Sequence, residues 1–278
     1  MPNYSIYLIL IWLVLSAFKP ARKIVLALTP WLIFACSYDW MRLLPNYVVN
    51  PNIDTVSVLE LERQLFGINT EAGRLIPGEY FNLHHHAWQD MLAGFFYLCW
   101  VPVPLGYALT LYFKGKKRES LRMSIAFLWV NLVGFSLYYV HPTAPPWYTL
   151  EHGAEIIHNT PGNMAALARF DQLTHIPVFA FLYNSNANVF AAIPSLHAAY
   201  VLIAAIYAVI NKSSRWTAVT FFVIAAGIWW TAAYTTHHYL IDVLLGILTA
   251  VVGIAILECG FFRIAPIKRA VEKYAAAI

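Results

Sequence analysis

Residues 239–261 read YLIDVLLGILTAVVGIAILECGF, an apolar run broken by only two charges, Asp242 and Glu258. A helix needs about 20 mostly apolar residues to cross the hydrocarbon core of a bilayer, so this run reads as a membrane span. Six further runs follow the same pattern, at roughly 3–18, 24–41, 87–113, 123–140, 189–210 and 216–236. The first is short for a span, and an interfacial position is its alternative. The whole chain agrees with this reading: of 278 residues 60% are hydrophobic and 12% charged, against about 25% charged in an ordinary soluble domain. A water-soluble enzyme, a nucleic-acid-binding module and a disordered regulator are excluded. The expected fold class is an all-α polytopic membrane protein with six or seven transmembrane helices.

The charges between the spans give the expected orientation. Lys19, Arg22 and Lys23, then Lys114, Lys116, Lys117, Arg118 and Arg122, then Lys212 and Arg215, and finally Arg263, Lys268, Arg269 and Lys273 fall on one side if every run crosses once. These are 14 of the 18 basic residues, and only Arg42, Arg63, Arg74 and Arg169 lie opposite. Cytoplasmic loops carry the excess of Lys and Arg, so the C-terminus is expected in the cytoplasm and the loops 42–86 and 141–188 on the outer face. All ten histidines fall in those outer loops or near the outer ends of helices.

The organisation reads as a single membrane domain, 1–278. It comprises N-terminal helices (1–41), an outer interfacial loop (42–86), a core that carries the chemistry (87–261) and a basic tail (262–278). In the outer loop Asp54 can cap an amphipathic helix through Val56, Leu59, Leu65 and Phe66, closed by Gly67. The N-terminal run lacks a basic leader and a small-residue cleavage site, so it is expected to be retained. Cys36, Cys99 and Cys259 sit in apolar runs and suggest no disulfide framework.

Three outer-face segments could carry chemistry. His141-Pro-Thr143-Ala-Pro-Pro-Trp-Tyr148 follows the fourth run, and its three prolines stop the helix and force an extended chain. Ala192-Ile-Pro-Ser195-Leu-His197 opens the fifth. A proline in a first turn would leave free N–H groups around Ser195 as an anion site, beside a titratable imidazole. His237-His238-Tyr-Leu-Ile-Asp242 opens the last. His238 and Asp242 are four apart on one helical face. A carboxylate on one ring nitrogen fixes the tautomer and frees the other nitrogen to attack. The bland alternatives are an aromatic belt for the first segment, a bundle-internal histidine for the second and an inert pair for the third. His237, on another face, reads as interfacial.

Together, Pro-Ser-Leu-His and His-x-x-x-Asp resemble the type 2 phosphatidic acid phosphatase superfamily. The stretches Pro142 to Tyr148 and His237-His238-Tyr239-x-x-Asp242 are similar to its inositol phosphorylceramide synthase branch. So are Glu62-x-x-Leu65-Phe66-Gly67, Asp90-x-x-Ala93-Gly94-x-x-Tyr97 and Pro102-x-Pro104. The resemblance covers about residues 55–250. It implies a six-helix core with an extracytoplasmic site, and phosphoryl-group transfer through a phosphohistidine without metal or other cofactor. In that scheme His238 attacks phosphorus, Asp242 orients it, and His197 protonates the leaving alcohol and then deprotonates the acceptor. The partners implied are a membrane phospholipid donor and a lipid alcohol acceptor such as a ceramide.

The chain departs from the phosphatase pattern at three places. Gly134 and His141 stand where it has Lys and Arg, and Thr231-Ala232 stands where it has Ser-Arg. A phosphoryl transition state still requires N–H donors or positive charge, so Arg74, Arg169, His141, Thr143 and Ser195 are candidate substrate-binding residues. His86 and Asp90, spaced i and i+4, form a further candidate polar pair. The consecutive His84, His85 and His86 point different ways on a helix, which argues against a metal site. The leading expectation is head-group transfer between lipids. The alternatives are a lipid phosphate or polyprenyl-diphosphate phosphatase and a non-catalytic transporter.

Overall fold

The computed structural model describes residues 4–183 and 188–278; residues 184–187, at the end of the expected loop 141–188, and residue 3 of the first expected span lie outside the described residues. The N-terminal region folds as α1 (Tyr4–Ala17), α2 (Lys19–Ala27) and α3 (Thr29–Trp40). The outer loop contains α4 (Asn46–Val49), α5 (Ser57–Phe66), a two-stranded antiparallel hairpin of β1 (Ile68–Thr70) and β2 (Gly73–Leu75), and α6 (Pro77–Leu83). Then come α7 (Ala87–Leu98), α8 (Pro102–Phe113) and α9 (Lys117–Val140). The second outer loop holds α10 (Pro146–His152), α11 (Ala168–Thr174) and α12 (Val178–Tyr183). The chain closes with α13 (Leu196–Ile210), α14 (Arg215–Tyr234), α15 (Leu240–Ala255) and α16 (Ala265–Ala277).

Among the described residues three helices are long and apolar enough to cross a membrane: α9, α14 and the continuous helical stretch Leu240–Arg263. Two of the expected spans are bent rather than straight. The run 24–41 falls within α2 and α3, which meet at 61°, and the run 87–113 is α7 plus α8, at 43°. Pro30 and the Pro102/Pro104 pair sit at the starts of α3 and α8, where proline fits a first turn but cannot continue a helix. The remaining expected spans are the shorter apolar helices α1 and α13. Residues 189–195 do not extend α13: Ile193–Pro194 is cis and Ser195 is the N-cap. Pro194 therefore precedes the helix instead of lying in its first turn.

α13 is the axis of the bundle, packed against α9, α14, α15 and α8. Its buried face runs through Ala199, Ile203, Ala204 and Tyr207 into Phe127, Val130 and Met123 of α9. Small residues let these backbones approach, as is common between membrane helices. At Gly246 of α15 a Cβ would lie 2.0 Å from the Ser195 carbonyl, so only glycine allows α15 to sit against the start of α13. Toward the other end, Glu258 lies in a π-turn (Ile256–Gly260), accepts from the Tyr207 hydroxyl at 2.6 Å and pairs with Arg122.

The loops that follow α3 and α9 are laced together by extended chain. Asp54 N donates to the Pro142 carbonyl and Ala144 N to that of Asp54, both at 2.9 Å, while Thr143 N and Ala192 N bond Phe190 and Thr143 at 3.2 Å. The proline-rich stretch after α9 thus forms the middle of three short segments joined by two parallel bridges, which its lack of helical options predisposes it to do. Asp54 accepts from Ser57 N at 3.0 Å, one residue inside α5.

Candidate active site

The starts of α13 and α15 meet where the two histidine motifs lie. His238 Nδ1 is 3.1 Å from the Ala192 carbonyl and 3.3 Å from Asp242 Oδ2. Both neighbours are acceptors, so Nδ1 carries the proton and Nε2 keeps its lone pair. That Nε2 lies 3.2 Å from His197 Nδ1, which must then be the donor. Asp242 is fully buried and also accepts from Tyr239 N at 2.9 Å, which fixes its carboxylate across the first turn of α15. Ser195 N donates to the Asp242 carbonyl at 2.9 Å and so ties the two helix starts together.

The turn that delivers the histidines is held in an unusual conformation. Thr236, β-branched, has φ +58°, a left-handed backbone that costs of order 1–3 kcal/mol and persists only when the surroundings impose it. Here Trp147 N donates to its carbonyl at 3.0 Å, and Gly78 of α6 leaves room for its methyl group, since a Cβ there would lie 2.7 Å from Thr236 Cγ2. His237 is buried, not interfacial. Its ring sits between Tyr97 and Tyr183, with Nε2 3.3 Å from the Asn163 carbonyl and Nδ1 2.9 Å from Thr235 Oγ1. Burial, reinforced by the neighbouring His238, lowers its pKa to about 3, so it is neutral at ordinary pH.

Two cavities share His197. One, of about 100 Å³, is lined by His197, His237 and His238 together with Tyr97, Trp100, Tyr138 and Tyr183. The other, of about 260 Å³, shares His197, Tyr38, Tyr97, Trp100 and Tyr183 with the first and adds Phe179, Leu182 and Arg42. The space therefore runs from the three imidazoles past an aromatic wall to a guanidinium, which Asp39 holds at 3.0 Å. Sequence reading singles out only Tyr97 among these aromatics, in the Asp90 motif, because a Trp or Tyr in an apolar run otherwise looks like any core residue. It counted Arg42 on the outer face without reason to prefer it.

The other candidate residues are placed elsewhere. Ser195 is fully buried between the helix starts and lines neither cavity. Thr143 is consumed by the backbone lacing, with its hydroxyl on the His141 carbonyl at 3.1 Å. His141, half-exposed, faces Asp54 at 3.5 Å. Arg74 lies in the hairpin and donates to the Gln64 carbonyl at 2.8 Å. Arg169 is bound to Asp90, Nε to Oδ1 at 2.6 Å, and Asp90 also accepts from the Tyr234 hydroxyl at 2.8 Å. The expected partner of Asp90, His86, is exposed; His85 takes that place at 3.1 Å, because the chain is not helical at 85–86 and i, i+4 geometry starts only with α7. These residues form a polar cluster bridging α7, α11 and α14.

At Gly134, one of the departures from the phosphatase pattern, a Cβ would lie 2.5 Å from Leu196 Cδ2, so a lysine there must displace the Leu196 side chain. Ala232 is fully buried, and its carbonyl accepts from both His237 N (3.1 Å) and His238 N (3.0 Å).

The sequence profile of the PAP2 superfamily matches residues 77–256. A phosphoinositol dihydroceramide synthase of Bacteroides thetaiotaomicron is 49% identical over 97% of this chain and 87% of its own length. An inositol phosphorylceramide synthase of Candida albicans is 26% identical over 61% of this chain and 36% of its own. The catalytic subunit of the Saccharomyces cerevisiae inositol phosphorylceramide synthase is 30% identical over 42% and 29%. No solved structure matches the chain significantly.

Proposed function

This chain belongs to the PAP2 superfamily, and from that premise we propose that it is an integral membrane enzyme transferring a phosphoinositol-type head group from a phospholipid to a ceramide-type lipid alcohol through a phosphohistidine. The observation that carries the reading is the relay Asp242–His238–His197, with the His238 proton on Nδ1 and the Nε2 lone pair directed at His197. The printed name of the 49% identical relative joins phosphoinositol to dihydroceramide, which supports transfer over hydrolysis and over transport.

In the first step the donor phosphorus replaces the hydrogen bond between His197 and His238 Nε2. Nε2 attacks, an N–P bond forms, the P–O bond to the lipid alkoxide breaks, and His197, entering the step as the imidazolium, gives that oxygen a proton and becomes neutral. In the second step the acceptor hydroxyl loses its proton to His197, its oxygen attacks phosphorus, and the N–P bond breaks. A nucleophile with a separate acid/base is what such a double displacement requires. Asp242 stabilises the positive charge that His238 acquires. The head group occupies the cavity of three imidazoles, and leaving and entering lipid alcohols occupy in turn the cavity beyond His197, where Arg42 meets the polar part of the lipid. Neutral His237 and its aromatic neighbours shape the head-group cavity. The chain works as one membrane domain, with the site on the outer face and the C-terminus in the cytoplasm, as the distribution of Lys and Arg favours.

The test follows labelled phospholipid by thin-layer analysis with and without added ceramide. Wild type yields a labelled product only when the lipid alcohol is present, and His238→Ala yields none. Release of free phosphate or phosphoinositol irrespective of acceptor would refute transfer, and turnover by His238→Ala would refute the phosphohistidine.

A further inference from the structure

The outer-loop helix α5 takes no part in the relay, yet it ends on it. We propose that Glu62 is a positioning residue for the transfer reaction: from α5 it grips the N-terminus of α15 and so aims the His238–Asp242 pair. This rests on the reading of His238 as nucleophile.

Glu62 is 1% exposed, and its Oε1 and Oε2 accept from Leu240 N at 2.8 Å and Ile241 N at 3.2 Å. With Asp242 Oδ2 on Tyr239 N, the backbone N–H groups of three successive residues at the start of α15 are held by two carboxylates, one local and one from 178 residues earlier in the chain. The first N–H groups of a helix have no partner within it, and a negative charge beside them is favourable. Most helices meet that need with a local Ser, Thr, Asp or Asn cap, but the N-cap here is Tyr239. A small apolar cluster reinforces the grip: Val58 and Leu59 of α5 pack with Ile76 and Tyr239, and with Ile193 and Ile241. Ile193 belongs to the His197 motif and Ile241 to the His238 motif, so α5 clamps both.

The surroundings of Glu62 make this grip sensitive to protons. Asp242 of α15 is a like charge facing it, Tyr239 is engaged with Thr149, Asp54 lies at the start of α5, and Arg63 is directed to Glu79 of α6 at 3.5 Å. No cation reaches Glu62 among these groups, and burial moves its pKa from 4.5 to about 7. On protonation one oxygen becomes a donor facing a backbone N–H, and one of the two bonds is lost.

The experiment uses full-length protein in detergent with Glu62→Gln and Glu62→Asp. Wild type loses kcat as the pH falls through about 7. Glu62→Gln lowers kcat about tenfold per mole of folded protein with KM for donor within about twofold, and its profile lacks that acid limb. Glu62→Asp keeps a limb at a shifted midpoint. Folded Glu62 binds its proton more tightly than the unfolded chain, so wild-type stability falls as pH rises from 4.5 through about 7. Glu62→Gln lacks that slope. Wild-type kcat and pH profile in Glu62→Gln, or a loss that a smaller folded fraction accounts for in full, would overturn the proposal; if that variant does not fold, an unshifted wild-type profile in Glu62→Asp would do so. Absence of any transfer by wild type would refute the transfer reading instead, and the stability slope, which needs no turnover, would still report on Glu62.

Discussion

Replacing Asp242 by Asn separates the two tasks of this carboxylate, orienting His238 and compensating its charge. In a hydrolase triad the same change can cost about 10⁴ in rate, because the imidazole flips to the wrong tautomer. Here the His238 Nδ1 proton has a second acceptor, the Ala192 carbonyl at 3.1 Å, slightly nearer than Asp242 Oδ2 at 3.3 Å. The tautomer therefore survives in Asp242→Asn, and the loss is that of one charge-assisted hydrogen bond, about 1.5–3 kcal/mol. With 1.4 kcal/mol per tenfold, kcat falls by roughly 10–150-fold. KM for the donor stays within about threefold, since the interaction grows only as His238 becomes charged. The assay is steady-state transfer of labelled head group in mixed micelles, with the folded fraction measured by thermal unfolding. A loss of about 10⁴ or more would refute the role given to Ala192, and a loss under about threefold would refute the role of Asp242 in the relay.

Two other changes probe the charge supply. Arg42→Ala raises KM for the lipid substrates by about tenfold while kcat changes less than about threefold, because a guanidinium at the far end of the second cavity binds substrate and transition state alike; an unchanged KM would remove Arg42 from the lipid path. Gly134→Lys, which restores the residue of the phosphatase pattern, lowers stability by about 1–3 kcal/mol, read as a fall in Tm, because its side chain must displace Leu196 at the start of α13. If it left Tm unchanged, the steric account of that departure would be wrong.

His238 stands ahead of the Tyr239 N-cap of α15, so the turn, and not a shared helical face, brings its ring within 3.3 Å of Asp242; the two motifs themselves were legible from spacing and resemblance. The charge supply was not. Arg169 and Arg74 were natural candidates by location, but a cation's use depends on what stands beside it, and the chain brings Asp90 to Arg169 from 79 residues away. The interfacial assignment of His237 failed for a related reason. A periodicity argument gives the face of a helix, whereas His237 lies in the turn between two helices, where Tyr97 and Tyr183 from distant segments enclose it.

What the sequence determined alone was the solvent of the fold and its helical class, because the hydrophobicity of a run and its length are local quantities that a bilayer reads directly. It also determined which residues to propose for the relay, because His197, His238 and Asp242 stand in short motifs readable along the chain. Tertiary structure decided where the spans bend, that Arg42 lines the cavity beside His197, and what holds the helix of Asp242 in place. Glu62 reaches Leu240 across 178 residues, and a contact of that range exists only once loop 42–86 has folded over the starts of α13 and α15.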